Sequence, residues 1–281
     1  KAVLKFAFPL ILGNDLSGTV RAVGANVRRF KAGDRIVARL DKARIGAFAE
    51  RALVADADAA FAPTSIDLVD AAALPLAGLT AWQALFEMGQ LQAGQSILIH
   101  AGAGGVGHFA LQLARWKGAR VITTASAKNR EHCLALGADE VIDYRSTRFD
   151  QALADVDVVL DTQGGDTLLR SIAITRAGGH VISITAPPTP EVARAWGVKP
   201  PVTWILGFLT RRERAAARAR GVNYHYLFMR PDGAQLAELV SLVDSGVLKP
   251  SIDRRYPLLQ AAAALAHVEA GHAVGKVLVL P

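Results

Sequence analysis

The sequence predicts an α/β protein in which a doubly wound parallel sheet is accompanied by a smaller, β-rich unit. From residue 96 onward, short apolar runs of strand character alternate with helical patterns, and this spacing is typical of βαβ units. Before residue 65, short alternating segments separated by glycine turns dominate instead. With 281 residues, 51% of them hydrophobic, the chain is long enough to bury two cores.

The β-rich part is expected to be mainly antiparallel. Its strand signals are GTVRAVGANV, which Gly24 interrupts, the alternating run Arg35–Leu40 after a Lys-Ala-Gly-Asp turn, and AFAERALVA. A short helix is predicted in SIDLVDAAAL, where Pro75 is expected to end it. A second helix is predicted in GLTAWQALFEMG, with Gly89 at its end.

The larger part carries the alternation that predicts the parallel sheet. Its predicted strands are Ser96–His100, Arg120–Thr124, Glu140–Asp143, Val156–Asp161 and His180–Ile184. Its predicted helices lie near residues 105–117, 128–136, 147–154 and 165–176. The proline-rich stretch 186–221 is expected to be irregular until an arginine-rich helix. The remainder predicts strand, helix, strand, helix and strand.

The chain is basic, with a formal net charge of +7. Such a balance is compatible with nucleic acid, an anionic membrane or a phosphorylated small molecule as partner. The densest cluster of cations, RRERAAARAR, is interpreted as a solvated helix face, and no base-stacking motif accompanies it. No apolar run approaches the roughly 20 residues of a membrane span. We therefore expect neither nucleic acid nor a membrane as partner.

The single cysteine, Cys133, excludes a disulfide framework and a multi-cysteine zinc site within one chain. Its apolar neighbours predict a small core residue rather than a reactive thiol. The N-terminus shows no signal-like pattern, so a reducing, cytoplasmic location is expected.

A glycine-rich turn, LIHAGAGGVGHFALQLA, joins the first strand of the alternating region to its first helix. Gly102, Gly104 and Gly107 fit the pattern G-x-G-x-x-G, with Gly105 and Val106 inside it. One glycine permits the tight turn, a second lets a pyrophosphate approach the backbone, and a third lets helix and strand pack closely. The helix N-terminus then offers free N–H groups to the phosphates, so the turn predicts dinucleotide binding.

The residues after the second strand favour NADP(H) over NAD(H). An NAD site usually has a carboxylate there, about 20 residues after the glycines, but the chain has Ser126, Lys128 and Arg130. A hydroxyl and cations suit a 2′-phosphate. Tyr144, after the third strand, can bring its hydroxyl to the same phosphate. The competing interpretations are cations that are simply exposed at a helix start and a tyrosine that is buried.

Six segments together resemble the medium-chain dehydrogenase/reductase superfamily, and most closely its zinc-independent quinone oxidoreductase branch. They are AGAGGVGHFALQLARWKGARVITTAS, LGADEVIDYR, DVVLDTQGG, FPLILGNDLSGTVRAVG, FKAGDRIVA and GKVLVL. The resemblance implies a GroES-like catalytic domain over 1–78, without the family's first strands, and a Rossmann NADP-binding domain over 79–222. Residues 223–281 would return to complete the first domain. It also implies a cleft for NADPH and substrate, and a homodimer.

The resemblance also suggests site residues. Zinc-dependent relatives carry histidine and glutamate where this chain has Asn14 and Asp15, so no metal is expected. Asn14 is the candidate catalytic group, whose amide would donate to a carbonyl oxygen, although an Asn-Asp turn is equally compatible with the sequence. Thr80 matches a position near the nicotinamide or else caps a helix turn. Lys276, after Gly275, is a candidate cofactor contact. All seven histidines are interpreted as structural or exposed.

The activity that the resemblance implies is hydride transfer from NADPH to a small acceptor, which is a quinone or an α,β-unsaturated carbonyl compound. The reduction of neither acceptor needs a metal. The alternatives are an enoyl thioester reductase and an NADPH-binding protein with little turnover.

Overall fold

The computed structural model describes residues 8–281, which form two compact units. Unit 1 combines the described residues up to Thr80 with Gly104–Phe109 and Met229–Pro281, and unit 2 combines Ala81–Ala103 with Ala110–Phe228. The sequence placed the opening residues 1–7 in the first domain, but they lie outside the described range. None of the helices in residues 8–281 is both long and apolar enough to cross a membrane.

The strands are β1 (Asp15–Thr19), β2 (Arg35–Arg39), β3 (Ala59–Phe61), β4 (Ser96–His100), β5 (Arg120–Ala125), β6 (Glu140–Asp143), β7 (Val156–Asp161), β8 (Thr175–Ser183), β9 (Asn223–Tyr226), β10 (Ile252–Pro257) and β11 (Lys276–Leu280). The α-helices are α1 (Leu68–Ala71), α2 (Pro75–Trp82), α3 (Gly107–Trp116), α4 (Arg130–Ala135), α5 (Phe149–Ala152), α6 (Gly165–Ile174), α7 (Pro190–Ala195), α8 (Val202–Leu209), α9 (Arg211–Arg220), α10 (Gly233–Asp244) and α11 (Ala261–Glu269). A π-helical turn, Gln83–Met88, continues α2.

Unit 2 is built on a parallel sheet with the strand order β6-β5-β4-β7-β8-β9. The chain runs outward from β4 to β6 and then from β7 to β9 on the other side, so the order reverses between β4 and β7. Leu98, Val159 and Val181 from three of these strands share one apolar cluster with Leu168 and Ile172 of α6. Such runs, buried on both faces, are typical of doubly wound sheets. The predicted fold class is confirmed.

Unit 1 contains an antiparallel sheet of β1, β2 and β3 and a parallel pair of β10 and β11. The sheet buries Phe30, Ile36, Ala38 and Ala59 in a small core. Helix α10 lies close against β3: a Cβ at Gly233 would come within 2.5 Å of the Ala59 carbonyl oxygen. Only glycine fits this contact.

Several local expectations in the β-rich part and the linker after it were wrong. The strand in GTVRAVGANV ends at Thr19, and AFAERALVA forms no strand in the structure. Pro75 does not end a helix but begins α2. Proline is favoured at the first helical position, because the N–H that it lacks would be unpaired there. The same residue type therefore signals either a stop or a start.

The largest departures follow residue 175. Strand β8 begins five residues earlier than the predicted His180. The stretch expected to be irregular contains α7 and α8, and Thr189 caps the first of them by accepting from the Val192 N–H (3.5 Å). Strand β9 pairs with β8, so residues 223–226 fold with unit 2 and not with the returning segment to which the sequence assigned them.

Candidate functional site

The glycine turn after β4 is enforced by close packing. Ala101 has φ 52°, the left-handed conformation that lets the chain reverse direction. At Gly102 a Cβ would collide with the Thr123 hydroxyl and lie 3.1 Å from Leu111 Cδ1. The Gly102 N–H donates to the Thr124 carbonyl oxygen at 3.2 Å. The turn is therefore fixed against β5, and position 102 has room only for glycine.

Helix α3 begins at Gly107, the last glycine of the motif. The His108 N–H donates to the Gly104 carbonyl oxygen (3.1 Å), so the residues just before it form the open first turn of the helix. Gly105 and Val106 are half-exposed there, and a Cβ at Gly105 would meet nothing closer than the Gly275 oxygen, at 3.4 Å. The turn thus offers accessible amides and the positive end of the helix dipole.

The side of α3 that carries His108, Gln112 and Arg115 is mostly buried. His108 and Gln112 are covered, whereas Arg115 is exposed. The His108 Nδ1 lies 3.0 Å from the Gly104 oxygen. Helical periodicity located the helix but did not show how many of its sides are packed.

A hydroxyl and two cations follow β5, as the sequence indicated. Ser126 is buried directly after the strand, and its side chain does not cap the following 3₁₀ turn Ala127–Asn129. Lys128 is exposed and forms no ion pair within residues 8–281. Arg130, however, donates to the Val141 carbonyl oxygen at 2.8 Å, which ties the start of α4 to β6. Of these two cations, Lys128 is therefore the one whose side chain is not already bonded to the described part of the protein.

Tyr144 lies beside this group. Its N–H donates to the Ala125 carbonyl oxygen (3.3 Å), so the residue is held next to the end of β5. Its side chain is 59% exposed, and the alternative of a buried tyrosine is wrong. The Arg145 guanidinium lies 5.6 Å from the ring centroid and adds a cation that the sequence analysis missed, although it adjoins Tyr144 in the chain.

Two buried polar residues end the strands on either side of the point where the strand order reverses. His100 lies 3.1 Å through Nδ1 from Thr124 Oγ1 and 2.9 Å through Nε2 from Ser171 Oγ. Burial lowers the pKa of His100 to about 4, against the partly compensating charge of Asp161, so the ring is neutral at physiological pH. This agrees with the structural role expected for the histidines.

Asp161 ends β7 and was not singled out from the sequence. Its carboxylate accepts from the Gly164 N–H (3.0 Å), the Gln163 N–H (3.1 Å) and the Ser183 hydroxyl (2.7 Å). A carboxylate with this many donors is held in place and shapes the loop between β7 and α6. The signal in the sequence was an aspartate at a predicted strand end, followed by Gly164.

Unit 1 contains a second group of candidates around Asp15. Asp15 accepts from the Leu76 N–H at 2.8 Å and lies 3.4 Å from Lys276 Nζ. Burial raises the pKa of Asp15, and the charge of Lys276 opposes that rise. The Lys276 Cδ lies 3.5 Å from the position of a Cβ at Gly105. The pair therefore sits directly beside the open turn of α3.

Asn14 precedes Asp15 in the chain, and Thr80 lies one helical turn after Leu76, the residue that donates to Asp15. The Asn14 carbonyl oxygen accepts from the Leu40 N–H (2.7 Å), and its side-chain amide forms no hydrogen bond within the described residues. Asp15 bonds to a residue 61 positions away, which is not the local Asn-Asp turn considered above. Thr80 donates to the Leu76 carbonyl oxygen (2.6 Å) inside α2, so its hydroxyl bonds within its own helix.

The side chains present do not form a zinc site. Within residues 8–281 no three His, Cys, Asp or Glu side chains lie close enough together to hold a metal ion. Cys133 is a buried core residue, as expected, and burial raises the pKa of its thiol to about 11.

Replacing Gly102 by alanine is expected to reduce the free energy of unfolding by about 1–3 kcal/mol, because the new methyl group overpacks against Thr123. Gly105→Ala is the matched control and is expected to change stability by less than about 0.5 kcal/mol, because its Cβ makes ordinary contacts. Urea unfolding of both variants measures the difference. Equal destabilisation would contradict the close packing at position 102.

The stability of the protein is expected to fall as the pH drops from about 6.5 towards about 4. In that window the unfolded state binds a proton at His100 that the folded state does not bind. The loss attributable to His100 approaches about 3 kcal/mol at the lower end. Unfolding free energies across this range are compared for the wild type and His100→Asn, and the variant is expected to show the flatter profile. Parallel profiles would show that His100 titrates normally.

Comparison with known proteins agrees with this geometry. The family model described as alcohol dehydrogenase GroES-like domain matches residues 2–63, and the model described as zinc-binding dehydrogenase matches residues 136–279. The chain is 35% identical over 279 residues to the chloroplast envelope quinone oxidoreductase homolog of Arabidopsis thaliana, covering 98% of this chain and 80% of that protein.

Two solved structures are similar over nearly the whole chain. The quinone oxidoreductase of Coxiella burnetii has a TM-score of 0.83 at 32% identity, covering 96% of this chain and 79% of that one. The Escherichia coli quinone oxidoreductase complexed with NADPH has a TM-score of 0.78 at 30% identity, covering 96% and 82%. The chain therefore belongs to the medium-chain dehydrogenase/reductase superfamily and is an oxidoreductase of its quinone oxidoreductase type.

Proposed function

We propose that the protein prefers NADPH to NADH and reduces a small quinone or α,β-unsaturated carbonyl acceptor. The observation that carries the proposal is the row of groups following β4, β5 and β6: the turn at Gly102, the Ser126 hydroxyl with Lys128, and the exposed Tyr144. The related Escherichia coli enzyme, whose structure contains NADPH, supports it. The homodimer and cytoplasmic location expected from the sequence stay predictions.

The residues present fit a dinucleotide. At Gly102 there is no space for a Cβ. The backbone amides at the amino end of α3, in contrast, face an accessible turn, and Gly105 has no side chain that would block an approaching pyrophosphate. The nicotinamide group supplies the hydride when the cofactor is bound. The protein then has to bind and orient both reactants and exclude competing reactions.

The preference for NADPH follows from charge. A 2′-phosphate near the end of β5 would meet the Ser126 hydroxyl, the Lys128 ammonium and the Tyr144 hydroxyl. The nearest carboxylate along β6, Asp143, already accepts from the Arg145 N–H at 3.0 Å. Arg130 contributes its charge nearby, but one of its N–H groups is bonded to Val141. Each group offers hydrogen bonds or positive charge to an anion.

Hydride addition to the conjugated acceptor, at the β-carbon of an enone or to a quinone, places negative charge on a carbonyl oxygen as an enolate or a hydroquinone anion, which a positioned donor stabilises. The Asn14 side-chain amide is the candidate, since it is half-buried and uncommitted within residues 8–281. Lys276 pairs with Asp15, the residue after Asn14, at 3.4 Å, and its Cδ lies 3.5 Å from the position of a Cβ at Gly105. Water supplies the proton that completes reduction to the hydroquinone or the saturated carbonyl compound.

Lys128→Gln is expected to raise the Kd for NADPH about tenfold and to leave that for NADH within about twofold, because only NADPH loses a charge-assisted contact. Adding Tyr144→Phe is expected to weaken NADPH further. Nicotinamide fluorescence titrations measure both constants. Arg130 is left unchanged because its bond to Val141 makes its replacement a structural change.

Arg120→Gln is the matched control for Lys128→Gln. It removes the same charge from the opposite, amino end of β5, where Arg120 pairs with Glu140 at 3.1 Å. We expect it to leave the affinity for NADPH unchanged. A wild-type protein that binds NADH as tightly as NADPH, or a Lys128 variant that weakens both equally, would contradict the phosphate site.

Asn14→Leu is expected to reduce kcat by about tenfold to a hundredfold with the best quinone acceptor, because the oxyanion loses its donor. The Kd for NADPH should stay unchanged. Asn26→Leu is the control, since Asn26 lies in an exposed turn of the same unit. A kcat that Asn14→Leu leaves intact would remove Asn14 from the mechanism.

The acceptor is identified by following NADPH oxidation against quinones, enones and enoyl thioesters. The proposal expects turnover with quinones or enones. Turnover restricted to enoyl thioesters would instead establish the reductase alternative, and tight NADPH binding without oxidation of any acceptor would favour the binding protein.

A further inference from the structure

Helix α8, VTWILGFL, presents its apolar side chains to solvent. Trp204, Ile205, Phe208 and Leu209 are 72%, 56%, 63% and 54% exposed. The polar Thr203 on the same helix is buried. This distribution reverses the usual one, in which the apolar stripe of a helix faces the protein. Four large apolar side chains in one exposed patch indicate an interaction surface.

The inner face of α8 is complete without these side chains. Leu206 is buried, and Gly207 faces α7, where a Cβ would make an ordinary contact with Pro190 Cγ at 3.4 Å. The Thr210 hydroxyl, just after the helix, donates to the Leu206 carbonyl oxygen at 2.8 Å. The Thr210 hydroxyl is therefore hydrogen-bonded within the unit. The exposed face of α8 has no structural use inside it.

Cations adjoin the exposed patch. A single residue, Thr210, separates helix α9 from α8, and α9 contains five arginines and one glutamate. The Arg211 guanidinium lies 3.8 Å over the Phe208 ring. Arg214 pairs with Glu191 and Arg220 with Asp155, but Arg211, Arg212 and Arg218 form no ion pair in the part of the chain that the structure describes.

We propose that α8 and the start of α9 form a docking surface for an anionic lipid bilayer. Helices that lie in a membrane interface combine Trp, Phe and Leu on one face with flanking Lys or Arg, and insert the apolar face to the level of the headgroups. The unpaired arginines would meet the anionic headgroups. Nucleic acid would use the cations but has no use for exposed Ile205 and Leu209.

This surface needs no spanning segment. The sequence-based expectation of no membrane partner relied on the absence of an apolar run of about 20 residues, which is required to cross a bilayer but not to lie on it. The arginine cluster, interpreted from the sequence as a solvated face, is the electrostatic half of the same surface. The proposal concerns binding and does not depend on which acceptor is reduced.

The test is cosedimentation of the whole chain with vesicles. Vesicles of two parts phosphatidylcholine to one part phosphatidylglycerol are compared with vesicles of phosphatidylcholine alone. Binding is expected with the anionic vesicles and is expected to weaken at least tenfold with the neutral ones, because each arginine near an anionic surface contributes about fivefold to partitioning. Equal partitioning into both, or into neither, would overturn the proposal.

Two double variants separate the apolar and the cationic contributions. Trp204→Ser with Phe208→Ser, and Arg211→Gln with Arg212→Gln, are each expected to reduce partitioning about tenfold or more. The charge-matched control is Arg44→Gln with Arg51→Gln, both exposed in unit 1, and the apolar control is Leu259→Ser, which is fully exposed. Controls that weaken binding as strongly would show non-specific adsorption and would sink the proposal.

Tryptophan fluorescence locates the contact. Emission is expected to shift to the blue on anionic vesicles and to be quenched by brominated lipid, and Trp204→Phe is expected to abolish both changes. NADPH affinity measured on the same variants confirms that they fold. If vesicles leave the emission unchanged while sedimentation equilibrium shows self-association that Trp204→Ser abolishes, the face is an interface between copies of the chain and the lipid proposal is wrong.

Discussion

The close approach of Gly102 to β5 is the constraint on which the cofactor site depends. The Thr123 hydroxyl donates to the Ile99 carbonyl oxygen (2.6 Å) and so occupies the space where a side chain at position 102 would lie. This bond connects the ends of two neighbouring strands beside the turn at Ala101. Because the turn is short, the amino end of α3 opens at the same edge of the sheet. The absence of a side chain at position 102 thus lets the turn before α3 pack directly against β5.

Polar groups at this edge fall into two classes, those already engaged and those still available. His100 is neutral and bonded through both ring nitrogens, and the Asp161 carboxylate is surrounded by donors. These groups shape the loops, and their buried polar atoms are hydrogen-bonded while they do so. Ser126, Lys128 and Tyr144 lack such partners in residues 8–281, and that difference, more than residue type, is what supports the proposed anion site there.

The parts of the fold that sequence could predict are those where burial is nearly complete. Strands β4, β6 and β7 have the predicted bounds, because fully buried parallel strands are apolar runs with polar ends. Residues 186–221 could not be predicted in the same way. Proline both ends and begins helices, and Pro190 and Pro75 begin them here. At the site, the glycine motif was predictable because its chemistry is local. The Asp15–Lys276 pair joins residues 261 positions apart, and no local pattern contains it.

The same reasoning explains why α8 escaped sequence analysis. In α8, six of the eight residues are apolar and one is threonine, a composition that is typical of a buried helix, whereas the arginine-rich α9 is typical of a solvated one. The structure departs from the first of these patterns: Thr203 in α8 and Thr210 after it are buried, while Trp204, Ile205, Phe208 and Leu209 face outward and Arg211 lies over the Phe208 ring. Hydrophobicity shows that a surface must be covered. Only the three-dimensional packing shows that the protein itself leaves the apolar face of α8 uncovered. The adjacent unpaired arginines indicate that the partner that covers this face is anionic.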